Sequence, residues 1–356
     1  TFVYANGDKV SYSLKCGVEY GDNLLEVKDT PNGIFAGWFY SETESVDFDT
    51  ATLITKTSIV SLKDHYLFAL MLLPYNISGS SVTGYLSSIS NVNEFANGAV
   101  VQNELIEIPS YVHKFKSTNY YYECESGKTN AVKITSIGAN AFKANTKIKS
   151  VSLTTDIASV GSYAFGDCTN LSTVYTKGGN VTEGTFVLST ATTLSANSFR
   201  NTAIVNIVGN ANLVLSDYVF YGTKKLNNVD FANCTFSTIP AYAFAQSTIE
   251  HMTINAKVTT INASAFEGSN LNAINAENVQ KISSKAFNNT KLTTLKLSKI
   301  TTIEANAFSN NAVLETVEIA NSATSIGENI FANCVGLRNL SLPDVGHNAS
   351  SAYACV

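Results

Sequence analysis

The chain has 356 residues, of which only 14% are charged, and a formal net charge of −5 at pH 7. An acidic, charge-poor surface without clusters of lysine or arginine argues against nucleic acid and anionic membranes as partners. No apolar run approaches the ~20 residues of a membrane span; the longest, Tyr66-Leu-Phe-Ala-Leu-Met-Leu-Leu73, is strand-sized.

Residues 1–73 read as a small β module. Thr1-Phe-Val-Tyr-Ala-Asn-Gly7 alternates and then turns at Asn6-Gly7, a strong hairpin signal. Gly33-Ile-Phe-Ala-Gly-Trp-Phe-Tyr40 follows a Pro31-Asn32-Gly33 turn, and Phe48-Asp49-Thr50 leads to a last strand at Tyr66 to Leu72. Trp38, the only tryptophan, is expected to anchor the core. This order of N-G, Y-G-D, F-A-G-W-F, F-D-T and a terminal apolar strand resembles the internalin-type B repeat (Listeria–Bacteroides repeat). That family is a small β-grasp-like module found in tandem on bacterial surface proteins, and the resemblance implies a spacer or adhesive role. Its terminal L-Y-A-x-W appears as Leu67-Phe-Ala-Leu-Met71, without the tryptophan. The strand-like opening without methionine suggests a segment trimmed from a longer, exported precursor.

Residues 74–133 read as a linker and as the amino-terminal cap of a repeat array that begins near residue 134. Ser81-Val-Thr-Gly-Tyr85 and Ile106-Glu-Ile-Pro-Ser110 are its strand-like pieces, interrupted by Asn91 to Asn103 and by Lys116 to Thr129. The run Tyr120-Tyr-Tyr122 is expected in core or cap packing. A solenoid without a cap would expose an apolar edge.

From about residue 134 a unit recurs, aligned on Phe142, Phe165, Phe199, Phe220, Phe244, Phe266, Phe287, Phe308 and Phe331. Such a period means a solenoid, so residues 134–356 are assigned to one. An aliphatic residue stands five places before each phenylalanine, as in Ile137, Val160 and Ile261, and alanine usually stands just before it. These spacings suggest a short helical turn. An L-x-x-V-x-L stretch comes next, such as Leu292-Thr-Thr-Leu-Lys-Leu297, whose end alternates as a half-buried strand. The third residue after the phenylalanine is small in every copy. It is Ser or Thr where the stretch starts five residues on, and mostly Asn or Cys where it starts six on. This implies two loop types, with this side chain facing inward to satisfy the turn backbone.

Ile137-Gly-Ala-Asn-Ala-Phe142 and Val160-Gly-Ser-Tyr-Ala-Phe-Gly-Asp-Cys-Thr-Asn-Leu-Ser-Thr-Val174 resemble the BspA-like, Treponema-type leucine-rich repeats. The resemblance implies a mainly β, right-handed leucine-rich-repeat solenoid with short helical turns and a parallel strand ladder. Members of that family are mostly secreted or surface-anchored, adhesion is the role usually proposed, and no catalytic residues come with it.

The segment Lys177 to Ser195 breaks the period. It reads as an expanded loop, with Phe186-Val-Leu188 as a candidate extra strand. Cys168 and Cys334 hold the small inward position many turns apart, and Cys234 follows a strand, so all three read as buried free thiols. Cys16, Cys124 and Cys355 are left open. The four histidines are scattered and no metal, nucleophile or phosphate-loop motif is present, so no enzyme, metal or cofactor is expected. Asn-x-Ser/Thr triplets recur from Asn76 to Asn348, as chance allows in a chain rich in Asn and Thr.

The outward strand position reads Ser152, Tyr175, Val208, Asp230, Thr253, Asn275, Lys296, Glu318 and Ser341 along the stack. Tyr175 to Glu318 are the candidate ligand-facing residues, with the apolar pair Tyr175 and Val208 beside the irregular segment. The expected function is that of an exported, monomeric cell-surface protein that binds a host or neighbouring-cell protein or glycan through the solenoid. The alternative is a structural spacer with no ligand of its own.

Overall fold

The structure, a computed structural model, describes residues 1–30, 33–89, 98–99, 102–190, 192–320 and 322–342. The chain divides into two compact units, Thr1–Ile134 and Thr135–Val356. Cys355, His347, Pro31-Asn32 and most of the stretch from Asn91 to Asn103 lie outside the described residues.

In the first unit β1 (Phe2–Val3), β2 (Lys9–Val10), β3 (Ile34–Ser41), β4 (Leu53–Ile54) and β5 (Tyr66–Leu72) form a sheet in the order β2-β1-β5-β3-β4. β1 turns back on β2 at Gly7, whose φ of 89° suits only glycine, and lies parallel to β5. First and last strands paired in parallel at the centre are the β-grasp arrangement. The crossover from β2 to β3 holds only a one-turn 3-10 helix, Gly21–Asn23. Trp38 is fully buried, donates its indole N–H to the Leu25 carbonyl at 2.8 Å, and meets Phe2 and Phe35 edge to face. The expected core anchor is there, with its one polar atom satisfied. A second cluster joins Ala36, Phe39 and Leu72 to Leu86, Phe115 and Tyr122, so residues on either side of position 73 share a core. Tyr122 is buried and Tyr120 packs against the same cluster.

The second unit is a β-solenoid of about nine turns. Each turn has a longer strand, such as Thr294–Leu297, and a two-residue strand, such as Thr302–Ile303. Both kinds stack in parallel on the equivalent strand of the next turn. Between them runs a column of phenylalanines from Phe142 to Phe331, all buried. Successive ring centroids lie 5.3–6.0 Å apart at interplanar angles of 9–22°. Such offset pairs add about 0.5–1.5 kcal/mol each beyond the area they bury.

The chain around each phenylalanine is not helical. It makes two successive tight turns, closed for example by Ala141 N–H to Gly138 and by Asn145 N–H to Phe142. The residues two before and two after each phenylalanine, from Asn140 and Ala144 to Asn329 and Asn333, all have φ between 53° and 68°. A left-handed residue in third place is what a type II turn requires. Side-chain spacing alone suggested a helix because it does not report the sign of φ. Alternating handedness points three N–H groups per turn along the solenoid. Phe142 donates to Ala164, Asn140 to Ser162 and Ala144 to Gly166, and each turn as far as that of Phe308 repeats the set.

The small residue three places after the phenylalanine is buried in every turn from Cys168 to Cys334; Asn145, in the first, is half-buried. Its bonding follows its residue type. Thr202, Thr223 and Ser247 donate to the phenylalanine carbonyl of their own turn at 2.7–2.9 Å. Cys168, Asn311 and Cys334 reach the phenylalanine carbonyl of the preceding turn, at 3.1, 2.8 and 3.1 Å.

The irregular segment is more than an expanded loop. Thr185–Val187 is a strand, inserted between Thr173–Thr176 and Asn206–Val208 in the longer-strand sheet. On the other sheet Ser159–Val160 pairs directly with Thr193–Leu194, and Phe165 stacks directly on Phe199. One face therefore gains a strand that the phenylalanine column does not. Phe186 fills the resulting wedge, edge-on to Phe199 and Phe220, the pair with the widest spacing in the column at 6.0 Å.

This packing carries two measurable outcomes. Phe266, fully buried between Phe244 and Phe287, should cost about 3–5 kcal/mol of stability as Phe266→Ala; a denaturant midpoint equal to that of the parent would contradict the stacking. Cys168, Cys234 and Cys334 are buried and free, and burial pushes the Cys168 thiol up to about 12. Peptide mass spectrometry after alkylation should find all three unmodified in the native protein and modified in denaturant, and native labelling of any one would contradict its burial.

Candidate binding surface on the longer-strand face

Strand alternation puts Val151, Val174, Val229 and Leu295 into the core and leaves the next residue of each strand on the opposite face. Backbone register then fixes an outward row. Tyr175 pairs with Val187, Val187 with Val208, Val208 with Asp230, and Asp230 with Thr253. Val187 comes from the inserted strand and was not part of the row expected from sequence. The signal for it is Thr185-Phe-Val187, which repeats the polar, apolar, outward pattern of Thr173-Val-Tyr175.

Tyr175 and Val187 are half-buried and Val208 is 38% exposed, so three apolar side chains adjoin on successive strands. Thr173 and Thr176 hold the insertion against this strip: their hydroxyls accept the N–H groups of Gly184 and Ser189 at 3.0 and 2.9 Å. Gly184 adopts a φ of 78° to make that approach.

The remainder of the row is polar, and part of it is engaged by the fold. Asp230, Thr253, Asn275, Lys296, Glu318 and Ser341 are exposed, whereas Ser152, expected to face outward, is buried. The Asp230 carboxylate accepts the N–H of Ala232 at 2.9 Å. Asn275 follows the short strand Ala273–Ile274, and its amide bonds both the N–H and the carbonyl of Ile254, at 2.8 and 2.9 Å. It stands in for backbone pairing that the strand no longer supplies. The ladder stops there: Ala273–Ile274 ends one sheet and Thr294–Leu297 begins another. The expected continuous row is thus two runs. In the second, Lys296 and Glu318 sit in register with Nζ and Oε2 3.4 Å apart, both more than half exposed. Such a pair is worth under about 1 kcal/mol.

The face therefore offers hydroxyls, amides, one solvated ion pair and a single apolar strip, which is the chemistry of surface recognition. No curated protein matches the chain. Among solved structures, a leucine rich cell surface protein from Faecalibacterium prausnitzii A2-165 shares 16% identity at a TM-score of 0.46, over 77% of this chain and 75% of its own. The pneumococcal vaccine antigen PcpA shares 15% at 0.49, over 78% and 68%. The leucine rich repeat protein TpLRR of T. pallidum shares 14% at 0.34, over 72% and 82%. The sequence profile of the BspA type leucine rich repeat region matches in six copies over residues 83–189, 192–315 and 237–354. With well over half of its length matched, the chain belongs to the BspA type leucine rich repeat family.

Proposed function

We propose that the chain is the binding segment of an exported, surface-displayed adhesin-like protein, and that its partner is a protein of a host or neighbouring cell. The observation that carries this reading is the strip Tyr175–Val187–Val208, the one place where an otherwise polar row turns apolar. Aromatic and aliphatic side chains at the centre of a polar rim are what a protein interface needs, whereas a glycan would meet no open ring face in a half-buried Tyr175. Membership of a repeat family resembling secreted and surface-anchored proteins supports the location. We read residues 1–73 as an internalin-type B-repeat-like spacer, a reading supported by their β2-β1-β5-β3-β4 sheet. The mixed remainder of the row, with Asp230 and Asn275 engaged by backbone, favours the spacer alternative for the rest of the array.

The test uses the whole chain against an array of extracellular-matrix and serum proteins. Because Phe186 is a core residue, deleting the insertion would report on folding, so point variants are preferable. Tyr175→Ala combined with Val208→Ser should keep the parent melting temperature and weaken any captured partner by about tenfold or more, the 1.4 kcal/mol or greater expected of an interface centre. Undiminished binding would move the site elsewhere, and an array with no partner would favour the spacer.

A further inference from the structure

The second sheet of the solenoid, made of the two-residue strands, contains an opening in the turn that carries Pro240. In six turns the residue four before the phenylalanine donates its N–H to the preceding short strand: Gly161 to Ile137, Ser195 to Val160, Asn262 to Ile239, Ser283 to Ile261, Glu304 to Ile282 and Gly327 to Ile303, at 2.7–3.0 Å. Pro240 holds that position before Phe244, and proline has no N–H to give. The sheet stops at Val214–Leu215 and a new one begins at Thr238–Ile239, with no strand pairing between them among the described residues. The same two turns stay joined elsewhere. Phe220 stacks on Phe244 at 5.7 Å, and Asn228–Phe231 pairs with His251–Ile254. The solenoid is intact and one seam of it is open.

The seam is a groove of about 610 Å³, lined by Val214, Ser216 and Asp217 from one turn and by Phe236, Thr238 and Pro240 from the next. Close in sequence to its lining stand two tyrosines, at a position where Tyr163 is the other tyrosine of the array. Tyr218 and Tyr242, which follow Asp217 and Ala241, occupy left-handed sites with φ of 60° and 55°. Four other turns place asparagine there, at Asn140, Asn197, Asn306 and Asn329, the residue that tolerates such a backbone. The two rings stack 4.5 Å apart at 5°, yet both remain only half-buried. The row continues with Asn197 on one side and Ser264 on the other, and neither carries a ring to extend the stack. Backbone strain accepted for an aromatic pair that the core does not use points to function.

The lining defines the ligand. Asp217 is its one charged residue, and that carboxylate already accepts the Ala241 N–H at 3.0 Å. What remains is hydroxyls from Ser216, Ser237 and Thr238, the amide of Asn262, and the apolar surfaces of Val214, Phe236 and Pro240. A fitting ligand is uncharged, rich in hydroxyl groups, and apolar on one face. We propose that the open seam at Pro240 is a binding site for a neutral oligosaccharide, with the Tyr218–Tyr242 stack, next in sequence to the lining residue Asp217 and two places from Pro240, as its aromatic platform. The site lies on a different sheet from the Tyr175 strip and does not depend on it.

The repeat supplies its own controls. Pro240→Ser installs the residue found at Ser195 and Ser283 and supplies the N–H that those two donate, which favours pairing of Thr238–Ile239 with Val214–Leu215 across the groove. The double variant Tyr218→Asn/Tyr242→Asn installs the residue of four other turns. The whole chain and both variants are titrated calorimetrically with cellohexaose, maltohexaose and N-acetylchitohexaose, with a heparin hexasaccharide as the charged comparison. At least one neutral hexasaccharide should bind the parent, and each variant should weaken it about tenfold or more with a melting temperature at or above the parent's. Tyr175→Ala should bind it unchanged. If Pro240→Ser does not fold, the tyrosine variant decides. Binding by none of the three neutral sugars, tighter binding of the heparin hexasaccharide, or parent affinity in a folded variant would overturn the proposal.

Discussion

The second unit depends on a backbone bond that a strand ladder does not provide. Around every phenylalanine, two left-handed residues turn alternate N–H groups toward the following turn, and three bonds per step tie the ridge together. Without them the ridge would bury a row of unpaired donors beside the phenylalanine column, at a cost of about 1–3 kcal/mol for each group. The aromatic column is the consequence: turns held at one backbone repeat bring the rings to 5.3–6.0 Å and leave them little choice but to stack. In six turns the small residue three places on completes the arrangement by bonding a phenylalanine carbonyl, in its own turn or the one before.

That ridge also explains the composition. Of the eighteen left-handed sites flanking the nine phenylalanines, eight are asparagine and two are glycine, the residues for which the conformation is least costly. Eight asparagines are thus placed by a backbone requirement, and none of them begins an Asn-x-Ser/Thr triplet. A left-handed backbone costs other residues about 1–2 kcal/mol, and Ala144, Tyr163, Asp167, Tyr218, Tyr242, Gln246, Ser264 and Lys285 all adopt it.

Much of the architecture was legible because it is written in side-chain periodicity. The phenylalanine frame, the alternating strand, the inward thiols and the Lys296–Glu318 register all derive from which residues recur and at what spacing. The turn conformation was not legible in the same way, since apolar spacing of four and five suits a helix as well as paired tight turns. The Asn that recurs two places from five of the nine phenylalanines was the missed clue. The extra strand was legible as Phe186-Val-Leu188 and lies one residue earlier, at Thr185–Val187; its register was not, because Phe186 falls outside the phenylalanine frame and the strand has no leucine ahead of it. Of the candidate surface, Tyr175 and Val208 were placed by register alone. Val187 needed the insertion to be a strand, and the engagement of Asn275 by Ile254 needed the neighbouring strand to be short, which no single repeat discloses.

The inserted strand has a further consequence. The phenylalanine column counts nine levels, whereas the longer-strand face counts ten strands from Ser150–Leu153 to Asn339–Ser341. Two scales with unequal divisions laid side by side behave as a vernier, and here the mismatch is one strand spacing, about 4.8 Å. The face can therefore be lengthened without adding a repeat, and the offset accumulates at Val187. A partner that measures distance along this surface would be matched to the face rather than to the number of repeats. In such an array the spacing of the recognised features can change by one strand without a full repeat being added.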